Sequence, residues 1–281
     1  MLPFSLENIG NTVVWVSGAS SGLGLAAARA FQKAGYKVVS GARSFREEND
    51  TDTGYRLPLD VTKDESVAAF AERAHALFGP PQILVLCAGV LVLGPFETYG
   101  MDEVQRVMDT NYLGQVRMVQ AALPLMRKQG YGRIVHFSSI NGLLGIGFQG
   151  AYTASKHAVE GFAEALSMET RPFGIEVMLV EPGDHRSGSR KYRAVSKGST
   201  QDSPYYGAFA RVTGIIGHDE EHGSDPDRLG QRLVRMMHRK RLPMRVCIAS
   251  PDQKLAVLLH RLLPGRIFER VLAGYYHAWK P

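Results

Sequence analysis

Tyr152 and Lys156 stand four residues apart in Gly150-Ala151-Tyr152-Thr153-Ala154-Ser155-Lys156, and Ser139 precedes them by thirteen residues. Residues at i and i+4 share one face of a helix, so a phenol and an ammonium can converge on one point. A tyrosine at its ordinary pKa is a poor acid–base catalyst near neutrality. A lysine ammonium beside it favours the phenolate and moves it toward the working range. A serine hydroxyl aimed at the same point completes a set that can polarise a carbonyl. Taken alone the spacing is common on amphipathic helices, where it means a half-buried ring and a solvated amine. The rest of the chain decides between the two.

Arg133 to Phe137 is strand-like, a glycine-broken loop follows, and the helix bearing Tyr152 and Lys156 comes next. Earlier, the apolar run Thr12 to Val16 leads into Ser17-Gly18-Ala19-Ser20-Ser21-Gly22-Leu23-Gly24, followed by an Ala- and Leu-rich helix from Leu25 to Ala34. A strand, a glycine turn and a helix N-terminus form a phosphate site: glycines permit close approach, and free N–H groups with the helix dipole favour anions. Gly18, Ser20, Ser21, Gly22, Leu23 and Gly24 are the candidate contacts. The spacing is G-x-x-x-G-x-G, not the commoner G-x-G-x-x-G. A second strand, Tyr36 to Ser40, ends at Ala42-Arg43. A carboxylate there would bind a ribose 2′-hydroxyl, whereas arginine suits a 2′-phosphate. Arg43 therefore favours NADP(H) over NAD(H), against the plainer reading of a loop charge. Asp60-Val61, after the strand Tyr55 to Leu59, offers a carboxylate and an apolar side to an adenine. Ala88-Gly89, after the apolar run Ile83 to Cys87, lets a cofactor lie against the backbone. Alternating strands and helices imply a doubly wound parallel α/β sheet with helices on both faces, whose ligands bind at the carboxyl ends of the strands.

These motifs together resemble the short-chain dehydrogenase/reductase family, from about Thr12 to Ala249: Gly18-x-x-x-Gly22-x-Gly24, Asp60-Val61, Ala88-Gly89, Asn111, Ser139, Tyr152-x-x-x-Lys156 and Pro182-Gly183. The stretch from Ile83 to Gly183 is most similar to the branch holding 17β-hydroxysteroid and retinol dehydrogenases. The resemblance implies a seven-stranded Rossmann fold in one domain and a homodimer through two helices. It implies that Tyr152 exchanges the proton, Lys156 binds the nicotinamide ribose and lowers the tyrosine pKa, and Ser139 holds the substrate oxygen. It implies that Asn111 kinks its helix and fixes a relay water, and that Pro182, Gly183 and Ser187 meet the cofactor, Ser187 at the nicotinamide amide. Ser17 and Cys87 depart from the family pattern, where a threonine and an asparagine are usual.

The remaining expectations concern the substrate side. Met101 to Lys128 reads as helix interrupted near Pro124, and Ala158, Gly161, Phe162, Ala165 and Leu166 read as the apolar stripe of the catalytic helix. From Asp184 to Asp227 the periodicity is lost, and a mobile substrate lid is expected, with Tyr205, Tyr206 and Phe209 over an apolar substrate. Asp219-Glu220-Glu221 reads as solvated, and His185, Arg186 and His218 as surface residues, with contact to a polar substrate group as the alternative. Leu229 to Arg241 reads as a basic amphipathic helix, and Arg245 to Ala249 as the seventh strand. Residues 250–281 form a helical extension with Leu255, Leu258, Leu259, Leu262 and Leu263 at helical spacing among arginines. Packing over the substrate mouth is favoured for it; contact with a membrane surface is the competing reading.

Composition narrows the classes. The net charge is +6, but residues 183–281 carry 18 Lys and Arg against 9 Asp and Glu, so the first 182 residues are slightly acidic. No zinc spacing or RNA-binding signature accompanies the basic end, so neither a metal nor a nucleic-acid partner is expected. No run of eighteen apolar residues and no secretory signal are seen, and the two cysteines read as free thiols in a reducing, cytoplasmic setting. The expectation is an NADP(H)-preferring oxidoreductase interconverting alcohol and carbonyl on a steroid-, retinoid- or lipid-like substrate. The alternatives are a reductase of a polar or anionic metabolite, with the basic lid as anion site, and a non-catalytic NADP(H)-binding regulator.

Overall fold

The computed structural model describes residues 9–51, 54–188 and 193–279. The N-terminal residues 1–8, residues 189–192 of the expected lid and residues 280–281 of the expected extension fall outside them.

The first strand, β1 (Val13–Ser17), is buried along its whole length. An unbroken apolar run fits such a place, because a central parallel strand is covered on both faces. Helix α1 (Gly22–Lys33), β2 (Lys37–Ala42), β3 (Glu48–Thr51), β4 (Gly54–Pro58), α2 (Asp64–Phe78), β5 (Ile83–Leu86) and the short β6 (Val92–Leu93) follow. Then come α3 (Met101–Met108), α4 (Gly114–Gln129), β7 (Gly132–Phe137), α5 (Gly150–Thr170) and β8 (Ile175–Pro182). The remainder is β9 (Ala194–Val195), α6 (Tyr206–Glu221), α7 (Pro226–Met237), β10 (Arg245–Ile248), α8 (Pro251–Leu262) and α9 (Gly265–Tyr275).

The main sheet runs β10-β8-β7-β5-β1-β2-β4-β3. Its first seven strands are parallel, as expected; β3 adds an antiparallel edge on β4 that the sequence did not announce. The chain leaves β1 toward β2 and β4, then returns to the other side of β1 with β5. That reversal opens a crevice at the carboxyl ends of β1 and β5, the place where such sheets bind ligands. Helices α1 and α7 cover one face, and Phe31 meets Leu229, Leu233 and Met236 in one buried cluster. Gly230 permits their close approach: a Cβ there would lie 2.5 Å from the Ala26 carbonyl oxygen. Helices α2, α4 and α5 cover the other face, with Trp15 edge-on to Phe70 at 5.7 Å. Each such side chain taken from water contributes on the order of 2 kcal/mol.

Three expectations about helices need correction. The break between α3 and α4 lies not at Pro124 but at a π-turn, Asp109–Leu113. Pro124 stays inside α4; it forfeits one backbone hydrogen bond, while Met118, Val119, Ala122 and Met126 hold the helix on the core. The buried stripe of α5 is Ala151, Ser155, Val159, Ala163 and Leu166, whereas Gly161 and Ala165 are exposed. The lid is also not patternless. Phe209, Val212 and Ile216 are buried on α6 at helical spacing, the last two in one cluster with Ile140, Leu144 and Ile146. Three glycines within that helix masked the signal, and packing overrides their low propensity.

Candidate active site

The cavity at the switch point has a volume of about 640 Å³. Gly18, Ser20, Ser21, Gly22, Leu23, Gly24, Arg43, Asp60, Val61, Ala88, Gly89, Pro182, Gly183 and Ser187 line it, together with Ser139, Tyr152 and Lys156. Every residue singled out for the cofactor thus reaches one crevice, from separate segments of chain.

The glycine loop shows why side chains are missing there. Gly18 has φ +71°, and a Cβ on it would lie 2.6 Å from the Ala88 backbone. A Cβ on Gly24 would lie 2.2 Å from the Gly18 carbonyl oxygen. The loop therefore packs backbone on backbone, with the first turn of α1 facing the cavity. Ser17 keeps the role of a hydroxyl there: its Oγ accepts from the Ala88 amide at 3.5 Å. Cys87 sits on the same wall, and its amide still reaches the Ser17 carbonyl at 3.2 Å, so the strands hold without an asparagine side chain. At the other edge Arg43 is exposed on the cavity rim. Burial acts to raise the Asp60 carboxyl, but the amide and hydroxyl of Thr62 and the charges of Arg43 and Lys63 bring it below its ordinary range. A helix N-terminus, a glycine cradle without room for a Cβ and a rim guanidinium fit a phosphorylated dinucleotide. Ser187 lies against Gly22: its Cβ is 3.4 Å from where a Gly22 Cβ would be. It thus stands by the glycine loop as well as on the cavity.

The reacting end is built by β7, α5 and the turn after β8. Ser139 has extended backbone at the end of β7 and accepts from the Asn141 amide at 3.2 Å. Its hydroxyl also interacts with the Tyr152 phenol. Lys156 is buried, its Nζ 5.5 Å from the centre of the Tyr152 ring, and it donates to the Phe137 carbonyl at 2.8 Å. Burial pulls the lysine down to about 8. Burial pushes the tyrosine up to about 12, the Ser139 hydrogen bond opposes this, and the carboxylates of Glu220 and Asp184 add to it. In the folded chain burial therefore sets the direction, opposite to the lowering expected from Lys156.

Asn111 is in the π-turn but does not line the cavity. Its Oδ1 accepts from the Val90 amide at 2.7 Å, and its Nδ2 donates to the Val90 carbonyl at 2.9 Å and to Ser155 Oγ at 3.0 Å. The side chain thus braces the wall after Ala88-Gly89 and ties it to α5.

The substrate side holds the residues the sequence did not reveal. Leu91, Ile140, Ile146, Ile216 and Tyr276 give it apolar walls, and Gln149 and Asp184 add polar ones. Glu220 is not merely solvated: it lines the cavity and pairs with Arg193 at 3.0 Å. His185 is not a surface residue: it is 4% exposed, and Nδ1 lies 2.9 Å from the Gly183 carbonyl. Arg186 and His218 are exposed, as read. Tyr205 and Tyr206 are 39% and 37% exposed and do not line the cavity, and the Tyr205 hydroxyl donates to Glu97 at 2.5 Å; Phe209 packs edge-on to Phe148 at 5.6 Å. The i, i+3, i+7 spacing of Phe209, Val212 and Ile216 is the one local signal that could have placed Ile216 and Glu220. Burial, aided by Asp219 and Glu220, raises the Asp184 carboxyl to about 7, while Gln253 donates to it. Tyr276, just after α9, lines the cavity and packs with Ile140, Leu144 and Ile146, so the extension reaches the site. Among the described residues no group of His, Cys, Asp and Glu is arranged to hold a metal.

Comparison with known proteins agrees with this arrangement. The family model described as short chain dehydrogenase matches residues 12–196. The chain is 35% identical to a 3-ketodihydrosphingosine reductase from Bacteroides thetaiotaomicron, over 94% of this chain and 97% of that one. It is 40% identical to retinol dehydrogenase 8 from Bos taurus over 60% of this chain and 58% of that one, within the branch its motifs resemble. A short-chain dehydrogenase from Streptomyces avermitilis superposes with a TM-score of 0.80 and 28% identity, covering 95% of this chain and 96% of that one. Switch-point cavity, glycine cradle, and serine, tyrosine and lysine at its inner end thus occur in a chain matched over more than half its length, and the chain belongs to the short-chain dehydrogenase family of oxidoreductases.

Proposed function

We propose that the chain reduces a ketone or aldehyde on an apolar, lipid-like substrate and prefers NADP(H). The observation that carries this is the sharing of one cavity by the glycine cradle and Arg43, by Ser139, Tyr152 and Lys156, and by the apolar wall of Leu91, Ile140, Ile146, Ile216 and Tyr276. The relative named for 3-ketodihydrosphingosine, matched nearly end to end, supports a long-chain ketone.

Gly18 to Gly24 and the first turn of α1 would hold the phosphates of the cofactor, and Arg43 its 2′-phosphate; bound there, the nicotinamide supplies the hydride. The chain does the rest. Ser139 and Tyr152 both present hydroxyls to a carbonyl oxygen, which polarises it. Tyr152, pushed up to about 12, keeps its proton at neutral pH and is poised to give it to the alkoxide. The Lys156 ammonium stabilises the phenolate left behind, in a site where burial strengthens the attraction. Asn111 acts one layer back, by holding Val90 and Ser155.

A polar anionic substrate fits less well, because Glu220 neutralises the lid cation at the cavity, Arg193. A non-catalytic regulator gives no reason to bury a lysine ammonium beside a phenol. The homodimer is part of the proposal: Gly161, Ala165 and Met168 leave a face of α5 exposed, with Met168 74% exposed. The cytoplasmic placement rests on the free thiols Cys87 and Cys247.

The test is cofactor oxidation by purified protein with long-chain amino ketones, steroids, retinal and polar carbonyls. Turnover with NADPH on the apolar panel, abolished in Tyr152→Phe, is expected. Losing Arg43's bond to a phosphate in Arg43→Ala is expected to raise the KM for NADPH roughly 10- to 100-fold and leave NADH unchanged. Turnover confined to polar carbonyls, or equal use of NADH by the wild type, overturns the reading.

A further inference from the structure

We propose that the outer face of α8 and α9 is a docking surface for an anionic lipid bilayer. Among the described residues sixteen large hydrophobic side chains are exposed, and seven of them lie between Leu255 and Trp279. Such a concentration exceeds the scatter of single apolar residues that any surface shows.

The arrangement follows from helical spacing. On α8, Val257 faces inward, while Leu255, Leu258 and Leu262 are 53%, 50% and 70% exposed along the opposite side. On α9, Phe268 faces inward, while Ile267, Val271 and Tyr275, each four residues from the next, are 48%, 49% and 51% exposed. Trp279 continues the patch at 60% exposed. Helices of a folded domain turn such stripes inward; here each helix has an inner apolar stripe and an outer one.

Charge complementarity selects the occupant. Lys254, Arg261, Arg266 and Arg270 are exposed on α8 and α9, against two exposed acidic residues, Asp252 at the start of α8 and Glu269. Arg266 and Arg270 stand one residue before Ile267 and Val271, beside the apolar stripe of α9. Long cationic side chains flanking an apolar stripe can reach headgroups while the stripe enters the acyl boundary. Arg270, His277 and Trp279 also border a surface groove on α9. A second protein's apolar surface would have less use for unpaired cations around the contact. No helix among the described residues is long and apolar enough to cross a membrane, so the contact is a surface one.

The patch adjoins the mouth of the active-site cavity. Tyr276 follows Tyr275 and lines the cavity, and the Tyr275 hydroxyl donates to Asp219 of α6 at 2.9 Å. A bilayer under α8 and α9 therefore lies next to the apolar entrance, so a membrane-dissolved substrate need not cross bulk water.

Sedimentation with vesicles tests this without cofactor or substrate, so its failure is separable from failure of the proposed reaction. The purified chain is mixed with phosphatidylcholine vesicles, alone or with about 30% phosphatidylserine, at low and high salt. Salt-sensitive binding that prefers the anionic vesicles is expected. The triple variant Leu258→Glu, Ile267→Glu, Val271→Glu is expected to lose about tenfold or more of the bound-to-free ratio. The double variant Arg266→Glu, Arg270→Glu is expected to lose the preference for anionic vesicles. Both should melt like the wild type, since all five side chains are exposed. No binding to either vesicle, or wild-type binding by both variants, overturns the proposal. So does a dimer that the triple variant dissociates, which would make a second copy the occupant.

Discussion

Lys156 offers the sharpest test of the chemistry. Its ordinary pKa of 10.5 is brought down to about 8 by burial, which corresponds to about 3 kcal/mol of lost preference for the charged form. The amine is charged below that value and neutral above it. If the ammonium is what stabilises the Tyr152 phenolate, the charged form is the active one. The kcat/KM for the nicotinamide cofactor reports groups of the free enzyme. It should be level below about pH 7.5 and fall tenfold per unit above about pH 8. Tyr152, raised to about 12, cannot produce a fall in that range. Lys156→Arg keeps a charge throughout, so its residual activity should show no break up to pH 10. Lys156→Met should lose about 10²- to 10⁴-fold at neutral pH. Cys87, the neighbouring thiol, is itself raised by burial, and Cys87→Ala should leave the break in place. A wild-type profile flat to pH 10, or a break that persists in Lys156→Arg, refutes the assignment.

Three further outcomes follow from the geometry. Gly24→Ala places a methyl 2.2 Å from the Gly18 carbonyl oxygen, so the cradle must open; calorimetric titration should show cofactor affinity falling at least about 30-fold. His136 is buried and held neutral, its pKa lowered to about 3 by burial. The unfolded chain takes up the proton first, so this contribution is full above about pH 6.5 and declines as the pH falls toward 3; urea unfolding should show about 2 kcal/mol lost by pH 5, a loss absent in His136→Gln. Arg245 reaches Glu160, Glu164 at 2.5 Å and Glu181 at 3.1 Å, and the first and last of these are buried. Arg245→Met leaves carboxylates buried without their cation, which costs about 3 kcal/mol and should lower the melting temperature by roughly 10 °C in a thermal scan.

The cofactor half of the site was legible because its rules are local. Strand, glycine turn and helix N-terminus are adjacent in sequence, so Gly18 to Gly24 announce a phosphate cradle before any folding is known. Arg43, Asp60 and Ala88 each end a strand of the same parallel sheet, and the sheet's polarity alone carries them to one edge. Tyr152 and Lys156 share a helical turn. These are matters of period and of strand direction, and a linear sequence encodes both.

The substrate half was decided by tertiary structure. Ile216, Glu220, Arg193 and Tyr276 come from α6, the segment before β9 and the end of α9, and no spacing relates them to Tyr152. The glycines of α6 hid a helix that forms because Val212 and Ile216 find Ile140 and Leu144 across the mouth. Tyr205 and Tyr206 are suited to cover a substrate by residue type, yet at the start of α6 both stay half-exposed and away from the cavity, with Tyr205 bonded to Glu97. The state of the phenol was likewise beyond the sequence. Proximity to a lysine argues for a lowered pKa, but burial, which only the packed chain supplies, pushes Tyr152 the other way.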